Sequence, residues 1–191
     1  MENTVENWIE EEAEKLLKTI GIREGQKVLD FGCGSGNYTI PVARIVGKKG
    51  LVYALDQDKG ALDGLMHKAE LMGLKNIIRL DASPGSKIGL DNESVDVVLI
   101  FDVLHYYYFP RAEDRKRLLR EVYRVLKPNA VVSLYPAHLE SNMEPKLEEV
   151  RREIAEANFY LESEYSGLRM VHNDNIEEGR VMNFRKVGRA S

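Results

Sequence analysis

The chain has 191 residues, of which 43% are hydrophobic and 30% charged, so it can bury a substantial core within the size of one domain. A formal net charge of −4 gives no long-range attraction for polyanions, and a single cysteine, Cys33, excludes both an internal disulfide and a thiolate metal cluster. No apolar run is long enough to span a bilayer and the N-terminus is acidic, so we expect no membrane span and a cytoplasmic protein.

Apolar residues recur at helical spacing from Trp8 to Ile20 and predict an N-terminal helix, with Asn3 or Thr4 as its cap. This helix either covers a face of the sheet or closes a ligand cleft. The sequence leaves both interpretations open.

Short apolar runs then alternate with segments of helical periodicity. We predict strands near residues 27–31, 51–56, 76–80, 95–101 and 130–135, and helices near residues 37–46, 58–72, 112–126 and 145–157. Because each parallel strand pair needs a crossover connection, this succession predicts a doubly wound α/β fold whose mostly parallel sheet carries helices on both faces.

The C-terminal part departs from this alternation. Residues 167–172 and 180–187 are strand-like, are joined by residues 173–175 and Gly179, and have no helix between them, so they predict an antiparallel hairpin and seven strands in all. We expect one domain over residues 1–191. It comprises a helical cap (1–24), a core (25–135), and a flap, helix and closing hairpin (136–191).

A glycine-rich loop follows the first predicted strand. Residues 28–36 read Val-Leu-Asp-Phe-Gly-Cys-Gly-Ser-Gly, which places glycines at the alternate positions Gly32, Gly34 and Gly36. Glycine lacks a Cβ and permits positive φ, so a ligand could lie against bare backbone N–H groups at the start of a helix. The loop predicts a nucleotide or nucleoside site.

Three polar positions around the loop narrow the choice of ligand. The dinucleotide fingerprint has glycine at its sixth position, where this chain has Asn37. Asp56, at the end of the second strand, can accept hydrogen bonds from ribose hydroxyls or can instead cap the next helix. Asp30 would repel a pyrophosphate but suits a ligand with an ammonium group; alternatively, it fixes the loop by accepting backbone N–H groups.

Gly-x-Gly-x-Gly, preceded by Asp30 and followed by Asp56, resembles the first two motifs of the class I S-adenosylmethionine-dependent methyltransferases. Residues 94–105 resemble the fourth-strand motif of that family. Residues 118–129 resemble the helix and turn before its fifth strand, with Asn129 where glycine is common. The resemblance covers roughly residues 20–187 and is closest in style to type 11 methyltransferases similar to the quinone-biosynthesis C-methyltransferases.

The resemblance implies S-adenosylmethionine as the cofactor. It assigns the acidic, glycine and strand-end positions to cofactor binding, with the Asp81-Ala82 pair near the adenine amino group: Asp30, Phe31, Gly32, Cys33, Gly34, Gly36, Asn37, Asp56, Gln57, Asp81, Ala82 and Phe101.

Candidate catalytic residues follow the fourth strand, at the sheet edge where ligands bind in such folds. His105 is either a general base or a polar residue at a strand end. Tyr106 begins a run of tyrosines that forms either an aromatic wall or a packed loop, and Asp102 is a further candidate. His138 lies in a flap after the fifth strand and is a weaker candidate. No spacing of His, Asp and Glu matches a metal-ligand pattern, so we expect no metal.

These features predict an S-adenosylmethionine-dependent methyltransferase that acts on a small-molecule acceptor. Alternatives are an RNA or protein methyltransferase of the same fold, a non-catalytic module that binds the cofactor, and a dinucleotide enzyme, against which Asp30 and Asn37 weigh. The densest basic stretch, residues 111–120, has helical spacing and is interpreted as a solvated helix face, so we expect no nucleic-acid partner.

Overall fold

The computed structural model describes residues 4–81, 87–140 and 144–188. Its strands are β1 (Lys27–Phe31), β2 (Leu51–Asp56), β3 (Ile77–Asp81), β4 (Val95–Phe101), β5 (Leu126–Tyr135), β6 (Phe159–His172) and β7 (Asn175–Lys186). Its α-helices are α1 (Val5–Glu11), α2 (Ala13–Thr19), α3 (Thr39–Val46), α4 (Lys59–Leu71), α5 (Ala112–Val125) and α6 (Leu147–Glu156).

The strands form one seven-stranded sheet in the order β3-β2-β1-β4-β5-β7-β6. The pairs between β1 and β2, β1 and β4, β2 and β3, and β4 and β5 are parallel, whereas β7 pairs antiparallel with both β5 and β6. The predicted doubly wound fold is therefore confirmed. Strand order reverses at β1, so a crevice is expected beyond the carboxyl ends of β1 and β4.

Side chains of β1 alternate between the two faces of the sheet, as the two-residue period of a strand requires. Val28 belongs to a hydrophobic cluster shared with α1 to α4, while Leu29 belongs to a second cluster shared with α5 and α6. Both residues are fully buried. Helices on both faces thus hold the carboxyl ends of the central strands in place.

The predicted N-terminal helix is in fact two helices. Thr4 caps α1 by accepting a hydrogen bond from the backbone N–H of Asn7, and α2 begins at Ala13 after Glu12. Trp8 is buried, and its Nε1 donates to the carbonyl of Arg169 in β6 at 2.8 Å. No residue of these two helices, as far as they are described, lines the ligand cleft, so they cover the sheet.

The C-terminal hairpin is longer than predicted. Its strands begin at Phe159 and end at Lys186, and the turn between them contains Asn173 and Asp174, both with positive φ (48° and 58°). Two consecutive residues of positive φ match the twist of a tight hairpin. Gly179 was predicted in the connection, but it lies within β7, where a Cβ would come within 2.8 Å of the Tyr135 ring.

A buried cation joins α5 to α6. Arg115 is 1% exposed; its Nε and Nη2 donate to the two carboxylate oxygens of Glu153 at 2.8 and 2.7 Å, and its Nη1 donates to the carbonyl of Phe109 at 3.0 Å. The prediction of a fully solvated basic face on α5 is therefore wrong at this position, because the buried carboxylate of Glu153 offers the guanidinium a bidentate partner.

Within the described ranges, none of the helices combines the length and apolarity that a membrane span requires.

Candidate functional site

A cleft of about 650 Å³ opens beyond the carboxyl ends of β1, β2 and β4, where the reversal of strand order leaves a crevice. The predicted cofactor residues that line it are Asp30, Phe31, Gly32, Cys33, Gly34, Asn37, Asp56, Gln57, Asp81 and Phe101. Ala82 lies outside the described residues. Gly36 does not line the cleft; its missing side chain instead leaves room for Leu65 of α4, which a Cβ would overlap.

The glycine loop has the backbone conformation that its sequence predicts. Gly32 and Gly34 have φ values of 79° and 51°. A Cβ on Gly32 would lie 2.5 Å from Cγ2 of Val103, whereas a Cβ on Gly34 would meet nothing within 4 Å. Gly34 therefore borders open space in the cleft, which a side chain at this position would begin to fill. The loop fits a ligand that lies close to the backbone.

The N–H groups of the loop are used within the protein, contrary to the sequence expectation that they are bare. Gly32 and Cys33 donate to the carbonyl of Leu55, at 2.8 and 3.2 Å. Gly34 donates to Oδ2 of Asp56 at 2.8 Å, and Gly36 donates to the carbonyl of Cys33 at 3.0 Å. A phosphate needs such donors. Their internal use favours a ligand without phosphates.

Asp56 fixes the loop and also faces the cleft. Besides the Gly34 N–H, its carboxylate accepts the N–H of Asp58 at 2.9 Å. Asp58, not Asp56, caps α4 through the N–H groups of Gly60 and Ala61. The interpretation of Asp56 as the helix cap is thus wrong. An ionised carboxylate has about four acceptor positions, so Asp56 retains capacity for ribose hydroxyls.

Asp30 is a buried carboxyl at the bottom of the cleft. It is 2% exposed and accepts a hydrogen bond from the Thr39 hydroxyl at 2.6 Å. Burial raises the pKa of Asp30 to about 6; the Thr39 hydrogen bond opposes this rise and the nearby Asp56 charge adds to it. The loop N–H groups described above donate to other acceptors, so Asp30 retains acceptor capacity for a cationic ligand group.

Asp81 marks the outer end of the cleft. Its Oδ1 accepts hydrogen bonds from Nε and Nη2 of Arg79, at 3.0 and 2.8 Å. Gln57 lines the cleft nearby at the end of β2. The cleft thus has polar acceptors at the carboxyl ends of both β2 and β3.

Asp102 directly follows β4 and lines the cleft. Its φ of 55° is uncommon outside glycine. Its N–H donates to the carbonyl of Tyr135 at 2.8 Å. Its Oδ1 accepts the backbone N–H of His138 at 2.9 Å, and its Oδ2 lies 2.6 Å from Nδ1 of the same histidine. Nε2 of His172 is 3.1 Å from Oδ2. Asp102 is therefore the centre of a polar cluster.

His105 lies behind Asp102 and does not line the cleft. Its ring stacks on that of His138 with centroids 4.3 Å apart, and its Nδ1 accepts the N–H of Tyr107 at 3.3 Å. Burial lowers the pKa of His105 below its ordinary value, although the Asp102 carboxylate opposes this effect. The lowered pKa favours the neutral form of the ring.

Tyr106 does not take the position that the sequence analysis gave it. Its side chain is 54% exposed and does not line the cleft, whereas Tyr108 and Phe109 do. The chain turns sharply after His105, whose carbonyl accepts the N–H of Phe109 at 2.8 Å. This turn brings the later aromatic residues of the run to the cleft, and they form an aromatic wall.

The tip of the hairpin also reaches the cleft, through residues that sequence reasoning missed: Val171, His172, Asn173 and Asp174. Tyr38, on the loop before α3, holds this tip. Its hydroxyl donates to the carbonyl of Val171 at 3.0 Å and accepts the N–H of the same residue at 2.8 Å. The Asn-Asp turn was the only sequence signal available, and it predicts the hairpin but not its reach.

The fold also brings together residues that no sequence spacing relates. Asp102, His105 and His138 each offer one possible metal-ligand atom, and these atoms lie within 4.8 Å of one another. The sequence prediction that no His, Asp and Glu residues form a metal-ligand pattern considered spacing along the chain only.

A doubly wound sheet with an acid-flanked glycine loop at the carboxyl end of β1, and a second acid at the end of β2, is the arrangement of proteins that bind a nucleoside-type ligand at these strand ends. A family model described as "Methyltransferase domain" matches residues 29–134, more than half of the chain. The chain therefore belongs to this methyltransferase family, and the family implies S-adenosylmethionine as the cofactor.

Curated relatives and solved structures agree with this assignment. The chain is 32% identical to a demethylmenaquinone methyltransferase of Lactobacillus johnsonii over 120 residues, which are 63% of this chain and 47% of the relative. It is 34% identical over 85 residues to a probable cobalt-precorrin-6B C(15)-methyltransferase of Saccharolobus solfataricus, covering 44% of this chain and 43% of the relative. The chain thus spans about half the length of the curated relatives it matches.

A crystal structure of an S-adenosylmethionine-dependent methyltransferase from Aquifex aeolicus superimposes on almost the whole fold. The TM-score is 0.75 with 26% sequence identity, and the alignment covers 97% of this chain and 95% of the other.

Proposed function

We propose that this protein transfers the methyl group of S-adenosylmethionine to a small-molecule acceptor. The observation that carries the proposal is the continuous cleft that runs from the Asp56 and Asp30 carboxylates to Asp102 and the hairpin tip. One end offers acceptors for a ribose and an ammonium group without a phosphate cradle. The other end is walled by aromatic and polar side chains that can hold a second molecule.

S-adenosylmethionine supplies a methyl group already activated by a sulfonium centre, so the protein chiefly has to bind and orient the two partners. In the proposed site, Asp56 accepts the ribose hydroxyls and Asp30 pairs with the ammonium group. Gly34 keeps the cleft open, and Asp81 and Gln57 face the adenine base of the cofactor. The other predicted cofactor residues are retained as cleft lining, except Gly36, which does not line the cleft, and Ala82, which lies outside the described residues.

At the acceptor end, Tyr108 and Phe109 offer a flat apolar surface that excludes water from a planar or apolar acceptor. Of the residues predicted to be catalytic, Asp102 lines the cleft, His105 lies behind it, and Tyr106 lies outside it. We therefore assign contact with the acceptor to Asp102. His105 is a positioning residue, because its stacking on His138 supports the ring that Asp102 binds.

The charges on α5 favour a small molecule over RNA. Arg115 is buried against Glu153, Lys116 pairs with Glu156 at 2.9 Å, and Arg111 pairs with Asp114 at 2.6 Å. Paired cations offer little to phosphates. The matched relatives named above have small-molecule names, which supports the same choice. A cytoplasmic location of the protein is proposed from its single cysteine, because proteins of oxidising compartments commonly carry paired cysteines.

Two measurements test the proposal. S-adenosylmethionine and S-adenosylhomocysteine should raise the melting temperature while NAD does not, and no shift with the first two would refute cofactor binding. Methyl-labelled cofactor incubated with small-molecule metabolite extracts should give a labelled product; if only labelled RNA or protein appears, the acceptor class is wrong. Binding without transfer to any of these would favour a non-catalytic module.

A further inference from the structure

Three of the four histidines of this chain converge on one carboxylate. His105 follows β4, His138 follows β5 and His172 ends β6, and all three lie around Asp102. The rings of His138 and His172 are 4.7 Å apart and nearly perpendicular. Because the three come from separate parts of the sheet edge, neither local sequence nor a single motif explains their meeting.

We propose that Asp102, His105 and His138, with His172 as a fourth ligand, form a binding site for a divalent transition-metal ion. Imidazole nitrogens with one carboxylate oxygen suit Zn²⁺, Fe²⁺ and Co²⁺. The ligand atoms of the first three residues lie within 4.8 Å of one another. In a tetrahedral site with metal–ligand bonds of about 2.1 Å, the ligand atoms lie about 3.4 Å apart, so these groups would move closer together when they bind the ion.

The partners of His172 also support a ligand role. Its Nδ1 lies 2.9 Å from Oε1 of Glu177, and Glu177 in turn accepts the hydroxyl of Tyr135 at 2.8 Å. Metal-binding histidines commonly donate one ring N–H to a carboxylate, which fixes the ring and leaves the other nitrogen for the metal. Here the other nitrogen, Nε2, lies 3.1 Å from Asp102 Oδ2 and 3.0 Å from Nδ2 of Asn173, and an ion would replace the contact with Asn173.

The backbone conformation of Asp102 is a further observation in favour of a binding site here. Its φ of 55° is uncommon for a residue with a side chain, and such conformations concentrate at functional sites. The turn is fixed from both sides, because Asp102 donates to the carbonyl of Tyr135 and His105 donates to that of Val103, each at 2.8 Å. The carboxylate is thus held at the point where the histidines meet.

Asp102 and His172 both line the cleft, so an ion at this site that expands to five-coordination would take its fifth ligand from the cleft. At the proposed acceptor end, that fifth position suits an acceptor with an oxygen donor. Binding of the acceptor to the ion rests on the proposed methyl transfer, whereas metal binding itself does not.

The test is a titration of the chelator-treated full chain with Co²⁺, followed by visible absorption and by metal analysis after dialysis. We expect one Co²⁺ per chain, with the absorption of a nitrogen- and oxygen-coordinated ion. His105→Gln and His138→Gln should each weaken binding by more than about 100-fold, and Glu177→Gln by about 10-fold. The matched control is His67→Gln, because His67 is the fourth histidine and lies exposed on α4.

A further variant covers the case in which a histidine variant fails to fold. Asp102→Asn removes the charge but retains a side chain that tolerates positive φ, so it should fold and still lose Co²⁺. Absence of binding by the parent chain, or equal binding by the Asp102, His105 and His67 variants, would overturn the site. The cluster would then be a hydrogen-bonded pair of Asp102 and His138 without a metal. Thermal shifts with S-adenosylhomocysteine, measured on the same samples, report cofactor binding separately.

Discussion

Replacing Asp30 by asparagine should stabilise the protein and weaken its cofactor binding at the same time. Burial raises the pKa of this carboxyl from 3.8 to about 6. Each pKa unit corresponds to about 1.4 kcal/mol, so the ionised Asp30 costs the folded state about 3 kcal/mol relative to the unfolded chain. Asparagine has no charge to bury and keeps an oxygen that can accept the Thr39 hydroxyl.

The sign of the pH dependence follows from the raised pKa. Near pH 4, Asp30 is protonated in the folded chain and about half protonated in the unfolded chain, so it costs the folded state little. As pH rises from 3.8 to about 6, Asp30 ionises in the unfolded chain while it stays protonated in the folded chain, so the free energy of unfolding falls. The Asp30→Asn variant should therefore match the parent chain near pH 4 and exceed its stability by up to about 3 kcal/mol at pH 7.

Urea unfolding at the two pH values measures this difference, with fluorescence of the single, buried Trp8 as the signal. Asp91→Asn, at an exposed position, is the control and should show no such change between the two pH values. An equal stability difference at pH 4 and pH 7, or a less stable Asp30→Asn chain at pH 7, would refute the reasoning. Calorimetry should show weaker S-adenosylmethionine binding by Asp30→Asn at pH 7; unchanged affinity would remove Asp30 from the ammonium site.

Three other variants test the cleft and the fold around it. Gly34→Ala should lower S-adenosylhomocysteine affinity at least about tenfold in calorimetry, because its Cβ enters the open cleft. Asp56→Ala should weaken the same binding by about 1 to 3 kcal/mol, because ribose hydroxyls lose a charged acceptor and the loop loses its bond to the Gly34 N–H. Arg115→Met should cost about 3 to 5 kcal/mol in urea unfolding, because it leaves the buried Glu153 unpaired.

Each of these variants has a matched control. Gly73→Ala introduces a side chain at a φ of 67° with nothing within 4 Å, so it should lose similar stability yet bind normally; equal binding losses would assign the Gly34 effect to backbone strain. Asp58→Ala removes the cap of α4, and an equal loss of affinity there would make Asp56 a structural residue only. Adding Glu153→Leu to Arg115→Met should restore most of the stability, and no recovery would contradict the unpaired-charge explanation.

The sequence predicted the fold closely where local patterns decide structure. Apolar runs and helical periodicity located five parallel strands and the helices between them. Pro41 lies in the first turn of α3, where its missing N–H leaves no helical hydrogen bond unmade. The N-terminal helix and the hairpin were less well predicted. The break between α1 and α2 falls at Glu12, where the sequence has neither glycine nor proline to indicate it. The strand β6 begins at Phe159 in a stretch that is mostly exposed and polar.

By itself, the sequence determined the sheet, the glycine loop and the acids Asp30 and Asp56, because each depends on residues close together in the chain. Only the tertiary structure decided that the loop N–H groups donate to Leu55 and Asp56 and that Tyr38 holds the hairpin tip against the cleft. It also decided the meeting of three histidines at Asp102. That meeting depends on strand order and on the length of the β6–β7 hairpin, and both are set by packing between segments far apart in sequence.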